Sequence, residues 1–256
     1  MALVEWGRLT WPEAEQAVAE MPACIVPLGA IEAHGPHMEL SVDNNIATEK
    51  CRRVCEQTDV ILMPTIPLGV VYSLYGFPGS LSIRFDTMKQ LLCDLTQSLR
   101  ERGFRIVIFH SHHGGNWSVA KQAARECSMK YPDMIVASMN ELSALRKAQE
   151  QYCTSPHDDP SRAHADELET SQALECCPQN VRMGRAISSY LEFPEDYSAV
   201  PYRWSDFSAD GMNGDASAAT KEKGTAFLQA EVEAMVQKVR VLLQNHLNVP
   251  MIKEIR

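Results

Sequence analysis

Short apolar runs alternate with longer stretches of helical period along the chain. The runs at 24–28 (Cys-Ile-Val-Pro-Leu), 60–63 (Val-Ile-Leu-Met), 105–110 (Arg-Ile-Val-Ile-Phe-His) and 134–139 (Met-Ile-Val-Ala-Ser-Met) are too short for helices and read as buried strands. Thr10-Trp-Pro-Glu13 combines a capping residue, a first-turn proline and a glutamate three residues on, so a helix is predicted from there to about Met21. Ile46, Cys51 and Val54 recur at helical spacing within 45–57, with Cys51 and Cys55 one turn apart as small apolar residues. Further helices are predicted over 86–102, capped by Asp86 and ended by Gly103, and over 117–130, capped by Asn116. Others start at Asn140, run up to about Cys176, and close the chain at 218–244 with a stripe of Phe227, Val232, Met235, Val236, Val239 and Leu243. Strands alternating with helices in this way predict one three-layer α/β/α domain over 1–256 with a mostly parallel sheet.

The polar residues that interrupt this pattern are unevenly placed. Directly after the first strand, Glu32, His34, His37, Glu39 and Asp43 crowd into a segment punctuated by Gly29, Gly35 and Pro36. Glu32 and His34 are two apart and leave extended chain on the same side, a pairing that suits zinc, manganese or iron. Nothing in their spacing selects His37 or Glu39 over ordinary loop residues. His113, in Ser111-His-His-Gly-Gly-Asn116, follows the third strand, at the carboxyl end of the strand where open α/β sheets hold their sites. His112 beside it either faces substrate or is a loop residue. His164 and Glu169 form a reactive pair only if His164 sits just outside the helix that carries Glu169. The loop at 64–80, with Tyr72, Tyr75 and Phe77, either lines a pocket or packs as a hydrophobic cluster. The irregular, aromatic stretch at 187–214 reads as a second pocket or interface loop.

Composition narrows the classes. At 256 residues and 45% apolar content the chain can build a sizeable core. A net charge of −9 and a pI near 5.4, with no basic stripe, exclude a nucleic-acid footprint and favour a small substrate. Arg84, Arg162, Arg182 and Arg203 remain as single anion clamps. The eight cysteines include no Cys-x-x-Cys pair, so neither a disulfide framework nor a thiolate zinc site is expected. Met1-Ala-Leu-Val-Glu-Trp has no basic start followed by an apolar stretch, and no run is long enough to cross a bilayer; a soluble cytoplasmic protein is expected.

Four segments, in order, resemble the creatininase family of amidohydrolases: Gly-x-x-Glu-x-His-Gly-Pro-His at 29–37 with Asp43, His-Gly-Gly-Asn at 113–116, His-Ala-x-x-x-Glu-Thr-Ser at 164–171, and Gly214-Asp215 before the last helix. The resemblance implies a three-layer α/β/α fold, two divalent metal ions per subunit, zinc first and manganese or iron as alternatives, and commonly a hexamer. It implies that Glu32 and His113 bind one metal, His34 and Glu169 the other, and that Asp43 bridges them. A metal-activated water would then open a cyclic amide or cleave a small amide or formamide C–N bond, with His164 moving the proton. The family also admits ring opening of a cyclic ketone or lactone, and a non-catalytic small-molecule binder on the same fold is the rival class. Gly115 stands where creatininase has a glutamate ligand, and no tryptophan lies between Trp117 and Trp204, so creatinine itself is not expected as the substrate.

Overall fold

The computed structural model describes residues 3–247; Met1 and Ala2, where the segment read for a leader begins, and the end of the 1–256 span lie outside the described residues. The α-helices and the strands of the main sheet are α1 (Trp11–Glu20), β1 (Ala23–Leu28), α2 (Val42–Cys55), β2 (Ile61–Leu62), α3 (Phe85–Glu101), β3 (Ile106–Ser111), α4 (Trp117–Lys130), β4 (Ile135–Met139), α5 (Leu142–Tyr152), α6 (Glu167–Cys176) and α7 (Lys221–Leu247). The four strands pair in parallel in the order β2-β1-β3-β4.

Alternation along β1 and β3 builds the layers. Cys24, Val26, Leu28, Val107 and Phe109 face one side, where Met88 and Leu92 of α3 and Ala120 and Ala123 of α4 cover them. Ala23, Ile25, Ile106 and Ile108 face the other, against Cys51 and Val54 of α2 and Val232, Met235 and Val239 of α7. Both strands are buried along their whole length, as apolar runs without polar alternation require. The result is a three-layer α/β/α fold around a parallel sheet, and the stripe on α7 is core.

Two local expectations fail, while β2 is slightly shorter than its apolar run and covers Ile61–Leu62. Asp86 lies inside the first turn of α3 behind Arg84, and caps nothing. Asn116 makes no cap either: its amide donates to the Gly29 carbonyl at 2.9 Å and accepts from the Val70 N–H at 3.0 Å, tying the loops after β1, β2 and β3 together. Among the described residues no helix is long and apolar enough to cross a membrane.

Candidate metal centre

The chain leaves β1 toward β2 on one side and returns to β3 and β4 on the other, so the carboxyl ends of β1 and β3 flank the switch point of the sheet. The loop after β1 is pinned there by Glu32 N–H to the Leu40 carbonyl at 2.9 Å and Ala33 N–H to Ser80 Oγ at 2.9 Å. Gly35 turns it back with φ of 60°, in contact with Met212, where a side chain would not fit. Helix α2 begins at Val42, earlier than periodicity predicts, and so carries Asp43 in its first turn, buried and aimed at the same point.

Among the described residues three groups of side chains bring donor atoms within 4.8 Å of one another, close enough to share an ion: Glu32, Asp43 and His113; His34, Asp43 and Glu169; and Glu32, His34 and His164. Asp43 is shared by the first two. Its Oδ1 is 3.6 Å from His34 Nε2, and its Oδ2 is 3.6 Å from His113 Nδ1, with Glu32 Oε2 2.8 Å from the same nitrogen. Glu169 Oε1 is 3.6 Å from His34 Nε2.

The donor set fits divalent ions. His34 Nδ1 donates to the Glu32 carbonyl at 3.0 Å, and His113 Nε2 donates to the Val70 carbonyl at 2.9 Å. In a neutral imidazole that leaves the lone pairs of His34 Nε2 and His113 Nδ1 facing carboxylates, an arrangement stable only with a cation between them. His34 Nε2 and Asp43 Oδ2 are buried without a hydrogen-bond partner. The electrostatics agree: burial disfavours the charged rings, yet Asp43 and Glu169 hold His34 well above the ordinary histidine range, and Glu32 and Asp43 push His113 up to about 9. Glu169 is drawn well below the carboxylate range despite burial, by His34 and His112. The site demands positive charge.

His164 lies outside α6, as a reactive pair with Glu169 requires. Its Nε2 donates to the Ala33 carbonyl at 2.8 Å, so Nδ1 faces Glu169 Oε2 at 3.8 Å. Ala165 takes a left-handed φ of 52°, which turns its N–H onto that same Oε2 at 2.7 Å. Asp166 caps α6 by accepting from Glu169 N–H at 2.9 Å, and burial beside Glu169 and Glu167 pushes its carboxyl up to about 7. Above the centre opens a cavity of about 340 Å³ walled by Tyr72, Leu74, Arg162, Tyr197 and Trp204.

The loop at 64–80 does both things expected of it, and the stretch at 187–214 supplies a pocket wall. Tyr72 lines the cavity while Phe77 packs beneath with Val71, Leu74 and Trp204. From 187–214, Trp204 stands edge-on to His164 with centroids 5.7 Å apart, and Phe193 and Phe207 pack the wall. Of the four arginines, Arg162 lines the cavity and pairs with Asp158 at 3.4 Å, Arg182 pairs with Glu39 and Arg203 with Asp206. His37 is buried against Thr170 at 2.8 Å, held down to about 4 by burial and by His34, so it is neither solvated nor among the converging groups.

Sequence reasoning missed Lys50 and Glu231, which are buried and paired at 2.6 Å beneath His112. A signal existed. Lys50 falls between Ile46 and Val54 on the core stripe of α2, and Glu231 between Phe227 and Met235 on that of α7, all at four-residue spacing. Trp204 carried no such signal, since only tertiary folding brings it to His164.

The family model described as creatininase, creatinine amidohydrolase, matches residues 7–239. The chain is 26% identical over 254 residues to creatinine amidohydrolase of Pseudomonas putida, covering 91% of this chain and 95% of that one. It is 32% identical over 174 residues to the mycofactocin precursor peptide peptidase of Mycolicibacterium smegmatis, covering 66% of this chain and 63% of the relative. A crystal structure of creatinine amidohydrolase (creatininase) superposes with a TM-score of 0.86 at 23% identity, over 97% of this chain and 100% of that chain.

Proposed function

The chain belongs to the creatininase family, and from that premise we propose that it hydrolyses amide-type C–N bonds in small molecules, opening a cyclic amide or cleaving a formamide. Glu32 and His113 would hold one divalent ion and His34 and Glu169 the other, with Asp43 serving both, zinc being the first expectation and manganese or iron the others. The observation that carries this reading is the pair of imidazole lone pairs, each set against carboxylates and each fixed by a backbone carbonyl behind the ring. The two curated relatives support C–N chemistry, since one is named for an amidohydrolase and the other for a peptidase. In this reading residues 1–256 form one domain of a cytoplasmic homo-oligomer, a hexamer by family resemblance.

Two ions bound there supply Lewis acidity to the attacked carbonyl and lower the pKa of water from 15.7 to about 7. The chain's own residues do the rest. His164 is fixed by Ala33 so that its free Nδ1 faces the centre, where it takes a proton from the nucleophile and returns it to the leaving nitrogen. Trp204, anchored through its indole N–H to the Tyr197 hydroxyl at 2.9 Å, walls the cavity beside His164, excluding water and orienting a small flat group. Gly115 supplies no carboxylate, so the second ion depends on Glu169, whose Oε2 is already held by Ala165.

The test is metal content per chain in protein purified without chelator. Two equivalents of zinc, manganese or iron are expected, both lost together with hydrolysis of cyclic amides and formamides in Asp43→Ala. One equivalent or none, with no gain on reconstitution, would overturn the two-metal assignment and leave a small-molecule binder on this fold.

A further inference from the structure

Three imidazoles reach the centre from β1 and β3, and they do not present the same face. His34 and His113 turn an N–H back onto backbone carbonyls and a lone pair inward. His112, 8% exposed in its side chain, is held from behind by a donor instead: Lys50 Nζ lies 3.0 Å from its Nδ1. An ammonium has only donors, so Nδ1 must accept, and a neutral ring then carries its proton on Nε2. Lys50 is committed to that role, since Glu231 Oε2 sits 2.6 Å from Nζ and also accepts from Gln172 Nε2 at 2.5 Å, which marks Glu231 as a carboxylate. His112 Nε2 lies 3.0 Å from Glu169 Oε1, off the line of a straight hydrogen bond, and has no other partner.

We propose that His112 is a positioning residue, locked by the buried Lys50–Glu231 pair into the tautomer that turns an Nε2–H toward Glu169, orienting this carboxylate for the second ion while barring His112 from coordinating. The inference rests on the two-metal reading for its effect on the ion, though not for the tautomer. With Ala165 N–H on Oε2 and His112 on Oε1, both oxygens of Glu169 are steered. Glu32 is paired instead with His113, itself one of the proposed ligands, so the effect is confined to one of the two ions.

The first measurement is a long-range proton–nitrogen NMR correlation of the histidine rings in zinc-saturated and metal-free protein, with His112 assigned by its loss in His112→Phe. The parent is expected in the Nε2–H form in both states. The double variant Lys50→Met/Glu231→Gln, which removes both buried charges and so leaves neither unpaired, should shift His112 toward the Nδ1–H form. An Nδ1–H ring in the parent, or no shift in the double variant, would overturn the proposal. The second measurement is zinc titration of His112→Phe. The second equivalent should bind about 10–100-fold more weakly than in the parent, with the first unchanged. Equal affinities for both equivalents in variant and parent would overturn the positioning role. Should His112→Phe fail to fold by circular dichroism, the same titration of the double variant decides, with His112 located by its own shift. A parent that binds fewer than two equivalents would instead defeat the two-metal reading, while the tautomer result would stand on its own.

Discussion

His164 and His34 lie with ring centroids 4.4 Å apart, yet their hydrogen bonds give them different work. His34 Nε2 is shut between Asp43 and Glu169, whereas His164 borders the cavity and keeps Nδ1 available beside Trp204. His164→Ala should therefore lower kcat by about 10²–10⁴-fold with metal content unchanged. If His164 served only to support Glu169, elemental analysis of the same variant would show the second ion depleted. The residues of the centre were legible because each follows a strand end or opens a helix and is chemically out of place there: Glu32, His34 and Asp43 after β1, His113 after β3, Glu169 in α6. His112 was not, because its role depends on Lys50, 62 positions away, and a lone histidine in a glycine loop looks the same with or without that partner. Lys50 and Glu231 interrupt apolar stripes, a disagreement of charge and period that marks them only when both helices are read together.

At the level of elements, Glu169 depends on how α6 is entered. Glu167, in its first turn and buried, accepts from the N–H groups of Thr154 and Ser155 at 2.9 and 2.8 Å and pairs with Lys223 of α7, so one carboxylate ties the end of α5, the start of α6 and the start of α7. Burial works against its charge, but Lys223 and Ser155 outweigh it and hold the carboxyl at about 2, against an ordinary 4.5. A lowered acid pKa stabilises fully above the unfolded value and loses that contribution as pH falls through the folded one. Denaturant unfolding should thus show stability declining between pH 4.5 and about 2 through this group, by at most about 3 kcal/mol. In Glu167→Gln that part of the slope should vanish; a slope identical to the parent's would show that the knot does not carry it. Helices and strands were legible to within a few residues from periodicity. The failures, Asp86 and Asn116, share a cause: a cap is inferred from the nearest polar residue, whereas Asn116 satisfies backbone groups after β1 and β2 that are 87 and 46 positions distant.

Across the whole molecule, the centre lies where four parts of the chain meet, beside the buried cluster of Met38, Val42, Ile46 and Ala165 that also packs three of them together. The loop after β1, the start of α2, the loop after β3 and the entry to α6 each send one or two side chains to it, and what meets there without an ion is a set of carboxylates and inward lone pairs. Such a junction opposes folding until a cation fills it, so ion binding and global stability must be linked. A ligand that binds only the folded state at 100 times its dissociation constant adds about 2.7 kcal/mol. For a chain of this size each kcal/mol moves Tm by roughly 2–4 °C, so a single ion is worth about 5–10 °C. Chelation should lower Tm by at least that much, and re-addition of zinc or manganese should restore it. In Asp43→Ala, which removes the carboxylate common to both proposed ion sites, Tm should no longer respond to chelator or metal. A parent whose Tm is the same with and without chelator, despite measured loss of its ions, would mean that the four segments are held by the surrounding packing alone. The acidic centre would then be a passenger on the fold and not one of the forces that closes it.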